Sequence, residues 1–240
     1  MSEYNYKAIN RDIGRVIHRY DMIADGDRIL VGVSGGKDSL TLLWFLTERL
    51  ARIPIDYEVF PVYIDPGFPG GFGRELSEWS AEQGFPLRVE YTDNGIVAHS
   101  RQNLENPCFL CAHRRRKRLY EIAEALNCNK LAFGHHKDDI VETFFINICY
   151  TGVMGTMCPV QSVFNGRFHI IRPLAFVDEA RLRRFAEDQG FPEFQNPCPT
   201  AKISKRREIK DVLNRLYRGN KKIKDNIFRS LSHVNQEYLL

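Results

Sequence analysis

No segment of the 240-residue chain strings together the roughly 18 apolar residues that a membrane-spanning helix needs. The opening MSEYNYKAINRDIG lacks the apolar core that a secretion signal carries. Collagen-like periodicity, sustained heptads, internal repeats and low-complexity tracts are missing as well, which removes fibrous, repeat and disordered architectures. Together these absences predict a cytoplasmic globular protein with no membrane partner.

What remains is a chain of ordinary composition, 43% hydrophobic and 27% charged, large enough at 27.9 kDa to bury a substantial interior. We expect a helical lead over residues 1–25, one main domain over 26–200 and a basic helical tail over 201–240. The formal net charge of +4 hides an asymmetry, because residues 201–240 hold eleven Lys/Arg against four Asp/Glu. A second basic cluster, Arg114, Arg115, Arg116, Lys117 and Arg118, directly follows a cysteine pair. Such patches attract polyanions, nucleic acid first among them. Arg114, Arg115 and Arg116, with Lys205, Arg206 and Arg207 of the tail, are the candidate phosphate contacts.

Alternating hydrophobic runs and helical patterns organise the first 190 residues. Arg28 to Val33, Tyr57 to Ile64, Leu87 to Tyr91 and Lys130 to Phe133 read as strands. Between them lie an almost wholly apolar helix at Leu40 to Leu50, a helix at Arg74 to Gln83 and an amphipathic helix after the cysteine pair. Another helix carries Val141, Phe144, Phe145 and Ile148. A hairpin is expected at 160–171 around Asn165-Gly166, then a helix capped by Asp178 and closed by Gly190. The tail reads as two helices parted near Gly219-Asn220. Strands alternating with helices predict an α/β fold, a parallel Rossmann-like sheet with helices on both faces. In such sheets ligands gather at the carboxyl ends of strands, where SGGKDS, DPGFPGG and GHHKDD all fall.

Ser34-Gly35-Gly36-Lys37-Asp38-Ser39 joins a buried strand to a helix, so backbone N–H groups and the positive helix end point at an anion. The glycines let backbone approach phosphate, Lys37 adds a full charge, and Ser34 and Ser39 add hydroxyls. The loop is not Walker A, since Asp38 stands where that pattern requires Ser or Thr.

The six cysteines, in a chain without a secretion signal, suit reduced thiols or metal ligands better than a disulfide framework. Cys108 and Cys111 open the amphipathic helix one turn apart and can face one ion. Arg114, Arg115 and the helix N-terminus are expected to favour their thiolates. Cys128 and Cys149 read as small buried apolar residues, and Cys158 carries no assignment. Cys198, between two prolines, is a poor core residue and a good ligand. On spacing alone, structural zinc, a redox disulfide and an iron-sulfur cluster are equally open.

Five motifs in order, SGGKDS, PGFP, CxxC, GHHKDD and a downstream Cys, together resemble the PP-loop ATP pyrophosphatases. Within them they resemble the tRNA 2-thiocytidine synthetases (TtcA-type), relatives of the TtuA-type 2-thiouridine synthetases. The likeness runs from about residue 10 into the tail and includes IRPLAFV and FRSLSHV. It implies ATP-dependent thiolation of tRNA, with a 4Fe-4S cluster on Cys108, Cys111 and Cys198 leaving one iron open. It further implies that Ser34 to Ser39 bind the pyrophosphate part of ATP, while Asp65, Gly134 and His135 surround adenine and ribose. A homodimer and a sulfur donor, a cysteine desulfurase system or sulfide, come from the same resemblance. Two departures stand out: the second cysteine usual near the third ligand is absent, Cys198 being followed by Pro199, Thr200 and Ala201, and no Cys-rich zinc module flanks the domain.

On this reading the pyrimidine C2 oxygen is adenylated, with Lys37 and the loop amides on the departing pyrophosphate and Mg2+ near Asp38. Asp138 is the candidate general base or positioning group, supported by Asp139, against the alternative of a plain helix cap. Two rivals remain: a PP-loop enzyme with another acceptor, which would not need the three cysteines, and a zinc-stabilised RNA-binding module, which leaves SGGKDS unexplained.

Overall fold

The computed structural model describes residues 3–200, 205–220 and 222–238; the first four residues of the expected tail, 201–204, lie outside them. The described residues fall into two compact units, one of residues 3–136 and 159–200, the other of 137–158 and 205–238. The packing therefore differs from three consecutive segments. The N-terminal helix joins the sheet-bearing unit, and the helix after GHHKDD joins the tail helices.

In the first unit the hydrophobic runs become β1 (Asp27–Val33), β2 (Tyr57–Asp65), β3 (Arg88–Tyr91), β4 (Lys130–Phe133), β5 (Val160–Val163) and β6 (Phe168–Ile171). They form one sheet in the order β3-β2-β1-β4-β6-β5. The pairings β2 with β3, β1 with β2, β1 with β4 and β4 with β6 are parallel, and only β5 runs antiparallel, as the hairpin partner of β6. The order reverses direction between β1 and β4, and the crevice at such a switch point is where α/β sheets bind ligands. The hairpin turn takes four residues, 164–167, rather than two, with Phe164, Asn165 and Gly166 all at positive φ.

The helices of this unit are α1 (Glu3–Arg19), α2 (Lys37–Leu50), α3 (Gly73–Glu82), α4 (Asn94–Ala98), α5 (Pro107–Ala125) and α7 (Glu179–Gln189). On one face of the sheet Leu119, Ile122 and Ala123 of α5 pack on Leu30, Val62 and Ile64. Strand alternation turns Ile29, Val31 and Val33 to the other face, the side of α2. There Leu40, Leu42, Leu43, Phe45 and Leu46 are all buried, each worth about 1.5–3 kcal/mol against exposure. Phe45 stacks on Tyr6 of α1 at 5.7 Å and meets Phe185 of α7 at 4.9 Å, which ties both flanking helices to α2. Asp178 takes the cap position of α7 through its carbonyl, which accepts from the Arg181 N–H at 3.0 Å; its side chain makes no cap hydrogen bond. Gly190 ends the helix at φ +66°.

The second unit holds α6 (Lys137–Tyr150), α8 (Lys205–Gly219) and α9 (Ile223–Ser230). Val141 of α6 packs with Ile209 and Leu213 of α8. Cys149, expected to be buried, is exposed, because the buried side of α6 is confined to its first half. No helix among the described residues is long and apolar enough to cross a membrane.

Candidate active site

The phosphate loop leaves β1 at Ser34 and enters α2 at Lys37. Gly35 sits at φ +76°, and a Cβ there would fall 2.5 Å from the Phe72 ring, so backbone angle and space both demand glycine. The Ser34 N–H donates to Ser39 Oγ at 3.0 Å, Ser39 Oγ donates to the Gly36 carbonyl at 2.9 Å, and the Gly36 N–H donates to Ser34 Oγ at 3.4 Å. These bonds curl the loop over the start of α2, where no side chain caps the helix. Lys37 Nζ lies 3.1 Å from Asp38 and 3.3 Å from Glu179 of α7. Burial works against the Lys37 ammonium, yet Asp38 and then Glu179 outweigh it, and its pKa stands above the usual lysine value. Glu179 carried no signal in the sequence beyond its place after Asp178.

Two other strand ends complete this edge. A Cβ on Gly134, just past β4, would stand 2.9–3.0 Å from the backbone of Asp38 and Ser39, so the exit of β4 lies directly against the phosphate loop. His136 Nε2 is 3.8 Å from Asp38, and His135 Nδ1 accepts from the buried Arg172 at 3.3 Å. At the end of β2, the Asp65 carboxylate accepts the Gly67 N–H at 2.8 Å, and its carbonyl accepts both the Thr92 N–H and hydroxyl. Asp65 thereby shapes the 66–71 turn.

The cysteines reach the same edge from two segments. Asn106 caps α5 by accepting the Cys108 and Phe109 N–H groups at 3.0 and 3.3 Å, and Pro107 occupies the first turn, so the sequence itself starts the helix at the Cys pair. Asn196 repeats the device, accepting the Cys198 N–H at 3.0 Å in the Pro-bounded loop. Cys108, Cys111 and Cys198 line one cavity of about 350 Å³ together with Ser34, Tyr63, Phe72, Arg115 and Phe194. Phe72 is stacked between Tyr63 and Phe194, at 5.2 and 4.9 Å. Two unforeseen residues join them. The Thr200 hydroxyl lies 3.5 Å from Cys108 Sγ and 3.4 Å from Cys198 Sγ, and His99 Nε2 lies 3.0 Å from that hydroxyl.

The expected thiolate bias does not hold at Cys111. Burial pushes its thiol pKa up, Arg115 pulls it down, and Cys198 and Cys108 push it up again, leaving it above the usual thiol value. Among the described residues no three His, Cys, Asp or Glu side chains form a group that would hold a single metal ion. Three thiols around one cavity, with no carboxylate in its lining, are a soft donor set that fits a thiolate-bound group spanning the space.

In the second unit Asp138 lies inside the first turn of α6 rather than at its cap, and its carboxylate receives Lys224 Nζ at 2.5 Å. Arg206, expected on RNA, binds Asp139 at 3.2 Å, Glu142 at 3.1 Å and Thr143 at 3.0 Å, bracing α8 against α6. Lys205 and Arg207 are exposed. On α5, Arg115, Arg116 and Lys117 are exposed and Arg114 is half-buried, while Arg118 pairs with Glu90 and Glu121.

A glycine-bearing loop from strand to helix at a sheet switch point, facing a second strand end, defines a nucleotide-binding α/β protein of the PP-loop type. Residues 5–215 match the PP-loop domain family described as ATP_bind_3. The tRNA-cytidine(32) 2-sulfurtransferase of Geobacter sulfurreducens is 40% identical over 98% of this chain and 93% of its own length. That of Geotalea daltonii is 40% identical over 98% and 94%. The chain belongs to the PP-loop family, in the group that contains these 2-sulfurtransferases. Among solved structures, the U34-tRNA thiolase NcsA from Methanococcus maripaludis, determined with its 4Fe-4S cluster, superposes with a TM-score of 0.82 at 24% identity. That match covers 100% of this chain and 84% of the thiolase, and it establishes the shared fold.

Proposed function

We propose that the chain is an ATP-dependent tRNA sulfurtransferase that replaces the C2 oxygen of a cytidine with sulfur. The observation that carries this reading is that Ser34 of the phosphate loop and Cys108, Cys111 and Cys198 border one cavity. An oxygen activated by ATP and a store of sulfur have to meet within a bond's reach, and here the groups suited to each task face the same space. The names of the Geobacter and Geotalea relatives and the cluster of the archaeal thiolase support the same assignment.

ATP and tRNA are the substrates. Ser34 to Ser39 receive the pyrophosphate portion, and Gly134 and His135 border the nucleoside with the turn that Asp65 shapes. Attack of the C2 oxygen on the α-phosphorus breaks the bond to pyrophosphate, whose growing charge falls on Lys37 and the loop amides. Asp38 is the loop carboxylate suited to Mg2+, which adds charge neutralisation when bound. Asp138, steadied by Lys224, serves as general base or positioning group. Cys108, Cys111 and Cys198 hold a 4Fe-4S cluster, which when bound supplies the sulfur that displaces AMP from C2. Arg114, Arg115, Arg116, Lys205 and Arg207 hold tRNA phosphates while Arg206 braces α8. The target base enters unstacked from a tRNA loop. A cysteine desulfurase system or sulfide replenishes the sulfur, and the protein works as a cytoplasmic homodimer.

Mass analysis of tRNA nucleosides from cells lacking the protein tests this. The expected result is loss of 2-thiocytidine, restored by the wild-type chain but not by Lys37→Met or Cys198→Ala; an unchanged thiolated pool would overturn the assignment.

A further inference from the structure

His99 and Thr200 lie 101 residues apart and stand together between the cysteine-bearing segments. The Thr200 hydroxyl oxygen is 3.0 Å from His99 Nε2, 3.4 Å from Cys198 Sγ and 3.5 Å from Cys108 Sγ, and Cys198 Sγ is 3.9 Å from His99 Nε2. The other ring nitrogen, His99 Nδ1, is 2.9 Å from the Gly95 carbonyl oxygen. A carbonyl can only accept, so Nδ1 carries a proton and Nε2 is the ring atom that meets the Thr200 hydroxyl. The Thr200 hydroxyl therefore bridges the His99 ring and the two sulfurs. The ring cannot swing away freely, because Phe68 holds it edge-on at 5.3 Å and 74°. One hydroxyl thus links the N-terminus of α5 to the Pro-bounded loop, with α4 as its anchor.

We propose that His99 and Thr200 are positioning residues for the sulfur ligands. They hold Cys108 and Cys198 to one shared hydroxyl. The Thr200 hydroxyl is also within reach to donate a hydrogen bond to a ligand sulfur. Polar groups outside the ligand set orient ligands in this way, and hydrogen bonds to sulfur raise the reduction potential of iron-sulfur centres. The inference rests on the reading of Cys108, Cys111 and Cys198 as cluster ligands.

The test uses the full chain reconstituted anaerobically with iron and sulfide, as wild type, Thr200→Val, Thr200→Ser and His99→Phe. Iron retention against a chelator and the midpoint potential of the bound centre are read, with ATP binding by calorimetry as the check on folding. Thr200→Val keeps the shape and removes the hydroxyl; His99→Phe keeps the ring and removes Nε2. Both are expected to hold iron about 10- to 100-fold more weakly, and Thr200→Val, which removes the donor to sulfur, to show a more negative potential. Thr200→Ser is expected to match wild type, and all four to bind ATP alike. Wild-type iron retention and potential in Thr200→Val would overturn the inference while leaving the cluster reading intact. Iron loss that Thr200→Ser fails to restore would assign Thr200 to packing and overturn it as well. A wild-type chain that takes up no iron would overturn the cluster reading and the inference with it.

Discussion

Replacing Gly134 by alanine probes how closely the exit of β4 supports the phosphate loop. The new methyl would stand 2.9 Å from the Asp38 carbonyl carbon and 3.0 Å from both the Asp38 oxygen and the Ser39 nitrogen, all main-chain atoms. Carbon contacts relax to about 3.5–4.0 Å, so the first turn of α2 must move away by about 0.5–1 Å or the exit of β4 must give. Overpacking of this kind costs about 1–3 kcal/mol, which for a chain of this size lowers the melting temperature by about 2–12 °C. The same shift misplaces the amides that face an anion, each charge-assisted bond being worth about 1.5–3 kcal/mol, so ATP affinity should fall about 10- to 100-fold. Isothermal calorimetry with ATP and a thermal melt of the purified chain measure both effects. Gly219→Ala is the control, since a Cβ there meets nothing within 4 Å, and it should leave ATP affinity unchanged. Wild-type affinity and melting temperature in Gly134→Ala would refute the argument that these two segments are in main-chain contact.

Two further outcomes follow from other parts of the fold. Burial pushes the Cys128 thiol up to about 11; a group whose pKa is raised on folding contributes stability that is intact below about pH 9 and lost as pH rises through 11. Urea unfolding between pH 8 and 11 should show a decline on the order of 2 kcal/mol that Cys128→Ala flattens, and parallel curves for the two chains would count against it. Arg206→Ala removes the bonds to Asp139, Glu142 and Thr143 and leaves the buried Glu142 carboxylate with Lys210 at 3.9 Å. Burial already pushes the Glu142 pKa up, with Lys210 and Arg206 opposing it. Amide exchange in α8 should therefore speed up by an amount equivalent to about 1–3 kcal/mol while the phosphate loop stays protected; unchanged protection in α8 would show that Arg206 braces nothing.

The parts of the site that could be read in advance are those encoded by neighbours in the chain. RILVGV running into SGGKDS specifies a buried strand, a glycine turn and a helix start through local backbone preferences alone. The start of the helix at Cys108 is likewise local, an Asn cap at 106 followed by Pro107. Residue type alone makes Cys128 and Cys149 small buried residues; Cys128 is buried and Cys149 is exposed, since the sequence says nothing of where a partner helix stops. The five-residue α4 is too short to leave a period, and His99 is the residue that ends it. The pairing of His99 with Thr200, of Lys37 with Glu179 and of Arg206 with Asp139 and Glu142 each joins residues more than 60 positions apart. Contacts of that kind are set by topology, which a local reading does not reach. The Cys111 thiol was misjudged for a related reason: Arg115 acts as expected, but burial in the cavity outweighs it.

Three cysteines serving one iron-sulfur group beside the phosphate loop is the central proposal. Anaerobic purification of the full chain, followed by iron, acid-labile sulfide and zinc analysis of wild type and Cys198→Ala, measures this directly. The prediction is about four irons and four sulfides per wild-type chain, with most of both lost in Cys198→Ala and none lost in Cys149→Ala. One zinc without iron, or a full complement of iron kept by Cys198→Ala, would contradict it.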